Sequence, residues 1–467
     1  MTENIKVAIL AAGLGTRMKS AQAKVLHEAG GDTLLNHILR AATQVTAAEN
    51  ITVVVGYQAQ QVRESVRIPG VKFAEQTEQR GTGHAVMCTR ECLAQNGGAG
   101  LLLILNGDGP LIRAATLEAL IQKQRNREQA GTIVTTKVDD PTGYGRIVRD
   151  ADGFISAIVE QKAATAEQLA IHEINPGLYC FDARHFWQHV DEITAENPAH
   201  EYYITDMVEI LRRHGQRIVP LLVADETELL GINTRVELAA ADKILRRRKS
   251  EALMLSGVTI ENPDSVAIDA DVEVGPDSII EANVQLRGAT RVGGNCRIGA
   301  GSILRDCELG DSVTILPYVV AEASAIRNNA SVGPFSRMRL NAEACEDTHI
   351  GNFVELKKTR FGKGSKANHL AYLGDATIGS GVNIGAGTIT CNYDGAEKHP
   401  THIEDGVFVG SNSTLVAPLK IDEGAYIAAG SVITKQVERD ALAIGRAYQV
   451  DKPGWAKRRR EARSKRQ

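Results

Sequence analysis

Residues 268–304 read IDADVEVGPDSIIEANVQLRGATRVGGNCRIGAGSIL and place an aliphatic side chain at every sixth position. These positions are Ile268, Val274, Ile280, Leu286, Val292, Ile298 and Leu304. A second run has the same spacing at Ile403, Val409, Leu415, Ile421, Ile427 and Ile433. An α-helix cannot use this spacing, because six residues turn its face by roughly 600° and the apolar seam wanders. Short extended segments can use it if each forms one side of a triangular coil. The spacing therefore predicts a parallel β-helix of hexapeptide repeats, which we expect to be left-handed.

Small residues stand between the aliphatic positions, as in Ile298-Gly299-Ala300-Gly301. Tight corners between extended segments need small residues or residues that tolerate a positive φ. An antiparallel sandwich can mimic two or three such repeats by chance, but two unbroken runs argue against it. The repeats extend from about 258 to 437. We expect interruptions of the repeats at about 305–350 and 388–402. Insertions in a solenoid usually lie on its binding side, so we expect these segments to lie near a ligand.

The composition sets the limits for the whole chain. A length of 467 residues favours two or three domains, and a hydrophobic fraction of 43% with 24% charged residues is typical of a soluble globular protein. The net charge of -4 argues against a dedicated nucleic-acid binder. Seven cysteines without a CxxC pair indicate reduced thiols and a cytoplasmic location. No apolar run approaches about 18 residues, so we expect no membrane span and no membrane partner.

The first half of the chain alternates between strand and helix patterns. The predicted strands are 6–10, 51–55 and 101–105, and the predicted helices are 34–42 and 114–124. This alternation predicts a mostly parallel, Rossmann-like sheet covered on both faces. The predicted domains are an α/β domain over 1–233, a linker helix over 234–256, and a β-helix domain over 257–467 that ends in a basic tail.

A glycine-containing loop, Leu10-Ala11-Ala12-Gly13-Leu14-Gly15-Thr16-Arg17-Met18, lies between the first strand and the next helix. Its N–H groups favour a polyphosphate, and Arg17 and Lys24 add positive charge. The third glycine of a dinucleotide motif is missing and no Gly-Lys-Ser/Thr follows, so neither an NAD site nor a Walker loop fits. Asp108 follows an apolar strand, where α/β sheets bind ligands, and one carboxylate plus phosphates suits Mg²⁺.

This loop resembles that of sugar-1-phosphate nucleotidyltransferases, L-x-x-G-x-G-T-R-M followed by Pro-Lys, although Ala23 replaces the proline. Gln76, Gln79 and Gly81-Thr82-Gly83 resemble the uracil-reading segment of that family, since an amide can pair with a pyrimidine edge. The resemblance implies that Arg17 and Lys24 are catalytic and that Asn233 joins Asp108 on Mg²⁺. The implied UTP and UDP-sugar contacts are Leu10, Ala11, Ala12, Gly13, Lys24, Gln76, Gly81, Thr82, Asn106, Gly107, Asp108, Gly145, Glu160, Asn175 and Asn233. The family more often has tyrosine at position 106 and a larger residue at 109.

The two halves together resemble the family of bifunctional bacterial N-acetylglucosamine-1-phosphate uridyltransferases / glucosamine-1-phosphate N-acetyltransferases. His369 lies in a polar stretch between repeats, and histidine is the side chain best placed to take a proton from an amine that attacks a thioester. The implied glucosamine-1-phosphate contacts are Arg339, Lys357, Tyr372 and Asn383. The implied acetyl-CoA contacts are Ala386, Asn392, Tyr393, Ser411, Ala429 and Arg446. At 340–341 this chain has Leu-Asn where relatives have Pro-Gly.

The resemblance implies synthesis of UDP-N-acetylglucosamine, a precursor of peptidoglycan and lipopolysaccharide, by a homotrimer that uses acetyl-CoA, UTP and Mg²⁺. One alternative is a sugar-1-phosphate nucleotidyltransferase with a single function and a purely structural β-helix. That alternative does not account for His369, Tyr372 and Asn392-Tyr393 together. A non-enzymatic scaffold leaves Lys24 and Asp108 without a role.

Overall fold

The computed structural model describes residues 4–94, 99–125, 129–197 and 199–464. The chain divides into two compact units, Met1–Arg248 and Lys249–Gln467. A helix over Arg235–Leu255 runs across this division, and the predicted role of linker remains a prediction. No helix among the described residues is both long and apolar enough to span a membrane. All seven cysteines are described, and none of them forms a disulfide.

The N-terminal unit is built on a sheet of ten described strands, in the order β5-β4-β1-β6-β11-β7-β10-β8-β9 with β12 beside β7. The strands of the unit are β1 Ile5–Leu10, β2 Glu28–Ala29, β3 Asp32–Thr33, β4 Ile51–Val55, β5 Lys72–Glu75, β6 Leu101–Asn106, β7 Gly131–Lys137, β8 Gly145–Arg149, β9 Ile155–Val159, β10 Glu173–Asn175, β11 Tyr179–Asp182 and β12 Ile218–Leu222. Seven of the ten point the same way, and β9, β10 and β11 are reversed. The mostly parallel sheet is confirmed.

Helices cover the sheet and bury its central strands. They are α1 Leu34–Ala42, α2 Ala59–Ser65, α3 Thr82–Met87, α4 Arg90–Leu93, α5 Ala114–Gln124, α6 Ala166–Leu169, α7 Ala183–His189, α8 Asp206–Arg213 and α9 Arg235–Leu255. Every residue of β4 is buried, which explains why its sequence is a continuous apolar run and does not alternate. Thr33 is the N-cap residue before α1, and its side chain accepts a hydrogen bond from the backbone N–H of Asn36.

The C-terminal unit is a left-handed parallel β-helix with three walls. Wall A comprises Thr259–Ile260, Ile279–Ile280, Arg297–Ile298, Thr314–Ile315, Ser331–Val332, His349–Asn352, Lys366–His369, Asn383–Ile384, Phe408–Val409, Tyr426–Ile427 and Leu442–Ala443. Wall B comprises Ala267–Ile268, Gln285–Arg287, Ile303–Arg305, Val320–Glu322, Arg337–Arg339, Glu355–Lys357, Tyr372–Gly374, Ile389–Cys391, Thr414–Val416 and Val432–Ile433. Wall C comprises Glu273–Val274, Arg291–Val292, Glu308–Leu309, Ala325–Ile326, Glu343–Ala344, Arg360–Phe361, Ala376–Ile378, Thr401–Ile403 and Leu419–Ile421. Helix α10, Trp455–Ser464, follows the coils.

The aliphatic positions of both predicted runs face the interior of the coils and form one continuous core, and Val274 alone among them is only partly buried against it. Neighbouring coils pair in register within each wall, as Arg297-Ile298 does with Thr314-Ile315. Phe361 is fully buried on wall C and packs in the same core as Ala344 and Ala367. Small residues near one large ring keep the interior filled without strain, because protein interiors are close-packed.

The predicted interruption at about 305–350 is wrong. The coils continue through this region, and all three walls carry paired strands there. Leu304 and Leu309 are inward residues of successive walls although they are five residues apart. Some corners therefore use one residue fewer, which shifts the six-residue count and leaves the wall pairing intact. The interruption at about 388–402 is confirmed, because a loop over 392–400 separates the strands Ile389–Cys391 and Thr401–Ile403.

Candidate active sites

The glycine-containing loop leaves the carboxyl end of β1. Gly15 has a φ of +62°, and a β-carbon there would lie 2.6 Å from Cβ of Lys24, so this position requires glycine. Gly13 has no neighbour within 4 Å of the corresponding point, which leaves open space for a ligand. Ala11 does not line that space. Its side chain packs in the core, and its N–H donates to the carbonyl of Val54 at 2.9 Å.

Four predicted residues meet at one charged cluster near this loop. The Nζ of Lys24 forms an ion pair with Oδ2 of Asp108 and lies 3.0 Å from Oδ1 of Asn233. Nη2 of Arg17 donates to the same Oδ1 at 2.8 Å. The amide nitrogen of Asn233 donates to the carbonyl of Gly231 at 3.2 Å, which orients Oδ1 toward the two cations.

Two oxygen atoms of this cluster are suitable ligands for a divalent cation. One oxygen from Asp108 and one from Asn233 already converge on a single positive charge, the ammonium of Lys24. Mg²⁺ prefers carboxylate and carbonyl oxygens together with phosphate oxygens. The same two oxygens can therefore hold Mg²⁺ when the lysine turns toward a phosphate.

A cavity of about 270 Å³ lies beside the cluster. Its lining includes the predicted residues Leu10, Ala12, Gly13, Lys24, Gln76, Gly81, Thr82, Asn106 and Asp108. The amide nitrogen of Gln76 donates to the carbonyl of Gly81 at 3.0 Å and lies 3.1 Å from Nδ1 of His84. These contacts fix the side chain, so its amide oxygen is the group that can accept a hydrogen bond from a pyrimidine N–H.

Three further predicted residues lie close together: Gly145 on β8, Glu160 directly after β9, and Asn175 on β10. A β-carbon at Gly145 would lie 3.5 Å from Oε1 of Glu160 and 3.8 Å from Cβ of Asn175. Burial raises the pKa of Glu160, with a smaller opposing effect from a hydrogen bond to Thr205. Such a carboxyl group can pair with sugar hydroxyls.

Asn106 and Gly107 connect these three residues to the cavity. Asn106 lines the cavity, and its Nδ2 donates at 3.1 Å to the carbonyl of Pro176, the residue after Asn175. The approach is close, because a β-carbon at Gly177 would lie 2.1 Å from that nitrogen. The N–H of Gly107 donates to the carbonyl of Leu10 at 2.8 Å, which holds the start of the glycine-containing loop against the end of β6. Apart from Ala11, the N-terminal candidates therefore lie along one continuous surface.

The β-helix carries a second charged cluster on wall B. Arg339 and Lys357 pair in register on adjacent coils, and Nε of Arg339 donates to Glu355 at 2.7 Å. Nζ of Lys357 is 2.6 Å from Oδ2 of Asp375. Burial is the largest single effect on Lys357 and acts to lower its pKa, but the hydrogen bond to Asp375, the contact with Lys398 and the charge of Asp375 together outweigh it, and the pKa stands above its usual value.

Sequence reasoning missed two members of this cluster, Asp375 and Lys398. Asp375 also accepts a hydrogen bond from Nδ2 of Asn392, so it holds two predicted site residues together. Lys398 lies on the loop over 392–400, and its contact with Lys357 lowers its pKa, as does the charge of Arg339. Three cations that lie together, two of which lower the pKa of the third, are a favourable site for an anion. Tyr372 faces the same place, with its hydroxyl 2.5 Å from where a β-carbon of Gly374 would be.

His369 ends a strand of wall A, one corner before Tyr372. Its Nδ1 lies 2.7 Å from Oδ1 of Asn352, the residue paired with it on the preceding coil. The amide oxygen is an acceptor, so Nδ1 carries the proton and Nε2 is the nitrogen that can accept one. Asn352 is thus a further residue of the site, and its spacing of 17 residues from His369 is one coil.

Three predicted acetyl-CoA residues continue from His369 as a column. The register of wall A places Ala386, Ser411 and Ala429 at the equivalent corner of successive coils. Their side chains are small, so a shallow groove can follow this corner. Arg446 lies at the end of this column, because its Cδ is 3.6 Å from where a β-carbon of Gly430, the residue after Ala429, would be.

The remaining candidates lie at the sides of this column. Asn383 lies on wall A, three residues before Ala386, in register with Lys366 and Phe408. Tyr393 is exposed on the loop over 392–400, and its hydroxyl donates to the carbonyl of Gly395 at 2.6 Å.

The fold and the two sites define a transferase with one nucleotide-binding unit and one hexapeptide-repeat unit. The family described as "Nucleotidyl transferase" matches residues 6–226, and "Bacterial transferase hexapeptide (six repeats)" matches residues 400–435. The protein "Bifunctional protein GlmU" of Solibacter usitatus (strain Ellin6076) is 54% identical, over 99% of this chain and 98% of that protein. Its namesake in Koribacter versatilis (strain Ellin345) is 48% identical over the whole of both chains. That of Anaeromyxobacter sp. (strain Fw109-5) is 50% identical over 98% of this chain and 93% of the relative.

The chain belongs to the family of bifunctional GlmU proteins. Its N-terminal unit is a uridyltransferase and its C-terminal unit is a hexapeptide-repeat acetyltransferase. The relatives match along nearly their whole length. The alternative with a single function and a purely structural β-helix is therefore not supported.

Proposed function

We propose that the C-terminal site transfers acetyl from acetyl-CoA to glucosamine-1-phosphate and that the N-terminal site then forms UDP-N-acetylglucosamine from that product and UTP. The observation that carries the acetyl step is the column of His369, Ala386, Ser411 and Ala429 beside the cations Arg339, Lys357 and Lys398. It offers a proton acceptor between a groove for an extended cofactor and a site for a sugar phosphate. We place the enzyme in the cytoplasm.

In acetyl transfer the amine nitrogen of the sugar attacks the thioester carbonyl, the C–S bond breaks, and CoA leaves as its thiol. Nε2 of His369 accepts the amine proton and then delivers it to the departing sulfur, and the hydrogen bond from Nδ1 to Asn352 keeps Nε2 available. The cationic cluster holds the substrate phosphate, so the amine is positioned and not merely bound.

In uridylyl transfer a phosphate oxygen of N-acetylglucosamine-1-phosphate attacks the α-phosphorus of UTP, and pyrophosphate leaves. Arg17 and Lys24 neutralise the charge that develops on the phosphates. Bound Mg²⁺ would supply further neutralisation from Asp108 and Asn233. Gln76, Gly81 and Thr82 hold the uracil, and Glu160 with Asn175 holds the sugar.

We also propose a homotrimer. Tyr318, Phe335 and Phe353 stack at one corner of the β-helix with ring centroids 5.2 and 5.5 Å apart, and each side chain is at least half exposed. Each has a positive φ, which costs a bulky residue about 1–2 kcal/mol. A stack of exposed aromatic rings held at that cost is accounted for if another subunit covers it.

Light scattering should give three times the chain mass of 50.3 kDa, and Phe335→Glu should reduce the measured mass. A monomeric wild type would contradict the trimer.

Two assays on one preparation test the proposed reactions. Thiol release from acetyl-CoA should require glucosamine-1-phosphate, and pyrophosphate release from UTP should require N-acetylglucosamine-1-phosphate and Mg²⁺. Arg17→Ala should lose on the order of 100-fold in pyrophosphate release. Turnover by Arg17→Ala at the wild-type rate would refute its assignment.

A further inference from the structure

Two histidines and a glutamate lie together on the N-terminal unit, outside the lining of the nucleotide cavity. His189 ends α7, Glu192 ends the short turn after it, and His214 follows α8. Nδ1 of His189 is 2.7 Å from Oε1 of Glu192, and Nε2 of His214 is 2.9 Å from the same oxygen. The two imidazole rings stack with centroids 3.9 Å apart and an angle of 25°.

The three side chains offer ligand atoms close enough together for one metal ion. One ligand atom from each of the three residues lies within 4.8 Å of the other two, and no other such group of three occurs in the part of the chain that the structure describes. Two imidazole nitrogens and one carboxylate oxygen are a common zinc-binding combination, which leaves a fourth position for water. Nitrogen and oxygen ligands bind zinc at about 2.0–2.2 Å, so small rotations of the side chains would admit the ion.

We propose that His189, Glu192 and His214 form a binding site for Zn²⁺ or a similar divalent transition metal. His189 is buried, whereas the side chains of His214 and Glu192 are 42% and 39% exposed. The buried histidine gives the site a fixed anchor, and the two exposed ligands can adjust to the ion. Each imidazole binds through the nitrogen that now faces Glu192, and any proton on that nitrogen is released to solvent.

The metal would tie the ends of α7 and α8 to each other. Between these two ends in the sequence lie Glu201, which lines the nucleotide cavity, and Tyr202. The N–H of Tyr202 donates to the carbonyl of Arg80 at 2.8 Å, and its carbonyl accepts from the N–H of Gly83 at 2.7 Å. The ion would therefore stabilise a chain segment that contacts the cavity without being part of the transfer chemistry.

The test uses the full-length protein, stripped of metal and titrated with Zn²⁺ against a chromophoric chelator in excess Mg²⁺. The wild type should bind one Zn²⁺ at this site, and the ion should raise the unfolding temperature. His214→Gln and Glu192→Gln should each weaken Zn²⁺ binding on the order of 100-fold, since even residues behind the ligands can change affinity tenfold or more. His185 lies on α7 with His189 but outside the group, so His185→Gln is the matched control and should bind Zn²⁺ as the wild type does.

Two further measurements exclude other ligands. Co²⁺ in place of zinc should give visible d–d bands without thiolate charge transfer, which separates the site from the cysteines. Asp108→Asn should retain the binding, which separates it from the proposed Mg²⁺ position. Failure of the wild type to bind Zn²⁺, equal affinity in His214→Gln and the wild type, or loss in His185→Gln or Asp108→Asn would overturn the proposal.

Discussion

The loop before Lys24 is held by one glutamine in place of the family's proline. Ala23 has a φ of -56°, within the range to which a proline ring is locked. Its N–H donates to Oε1 of Gln58 at 2.7 Å, and Nε2 of Gln58 donates to the carbonyl of Ala21 at 2.9 Å. Two hydrogen bonds from one side chain thus restrain the backbone that a proline would restrain covalently.

The size of the effect follows from these two bonds. Each hydrogen bond contributes about 1 kcal/mol, and the one to Ala21 is exposed. Gln58→Ala should therefore reduce the free energy that favours the ordered conformation of the loop by about 1–2 kcal/mol. If that order serves to position Lys24, uridylyl turnover should fall about 5- to 30-fold. Ala23→Pro introduced into Gln58→Ala should restore about 0.4–1 kcal/mol, or roughly 2- to 5-fold, because proline restricts the free chain. In the wild-type background, Ala23→Pro removes the N–H that donates to Gln58, so it should raise uridylyl turnover little.

Pyrophosphate release under saturating substrates measures all four proteins of this double-mutant cycle. Gln60→Ala is the matched control, since Gln60 also lies on α2 and its Nε2 donates to Oε1 of the nearby Glu64 at 2.7 Å. Acetyl transfer should be unchanged throughout. Wild-type turnover in Gln58→Ala, or no gain from proline in that background, would refute the role given to Gln58.

Three shorter predictions concern other residues. Leu340 has a φ of +55°, which costs a bulky residue about 1–2 kcal/mol, so Leu340→Gly should raise the free energy of unfolding of the β-helix by about 1 kcal/mol in urea titrations. No gain would show that the corner is unstrained. Burial, then Glu209 and Glu160, raise the pKa of Asp206 to about 6, so its contribution to stability is full below its ordinary pKa of 3.8 and is lost as the pH rises through 6. Asp206→Asn should therefore exceed the wild type by about 1 kcal/mol at pH 8, after allowance for solvent screening, and the gain should shrink toward pH 4; a constant gain would contradict this. Asn352→Ala removes one neutral hydrogen bond from His369 and should slow acetyl transfer about 2- to 10-fold, far less than loss of the histidine itself; a larger loss would mean that Asn352 does more than orient the ring.

Much of the fold could be predicted because its periodicity is local. The helix over 34–42 and the strand over 51–55 have the predicted bounds, and the inward residues of both hexapeptide runs are in the core. The interruption at 305–350 was mispredicted for a physical reason. Wall pairing depends on the backbone of adjacent coils, which tolerates a corner that is one residue shorter, whereas counting by six does not.

The site residues missed by sequence analysis are those whose partners lie one or more coils away. Asp375 and Lys357 are 18 residues apart and meet only because the coils stack, and Lys398 reaches them from a loop whose length hides the register. Asn352 carries no motif of its own and is recognised only as the residue paired with His369. Three-dimensional register, and not residue type, identifies these positions.

The central claim is that His369 is the base of acetyl transfer and serves that unit alone. The most direct test is His369→Ala assayed for both reactions in one preparation, with His402→Ala, an exposed histidine on wall C, as the control. We expect a loss of roughly 10²- to 10⁴-fold in thiol release from acetyl-CoA, the usual range for a general base, with unchanged pyrophosphate release when N-acetylglucosamine-1-phosphate is supplied. Unchanged acetyl transfer, or equal losses in both reactions, would contradict it.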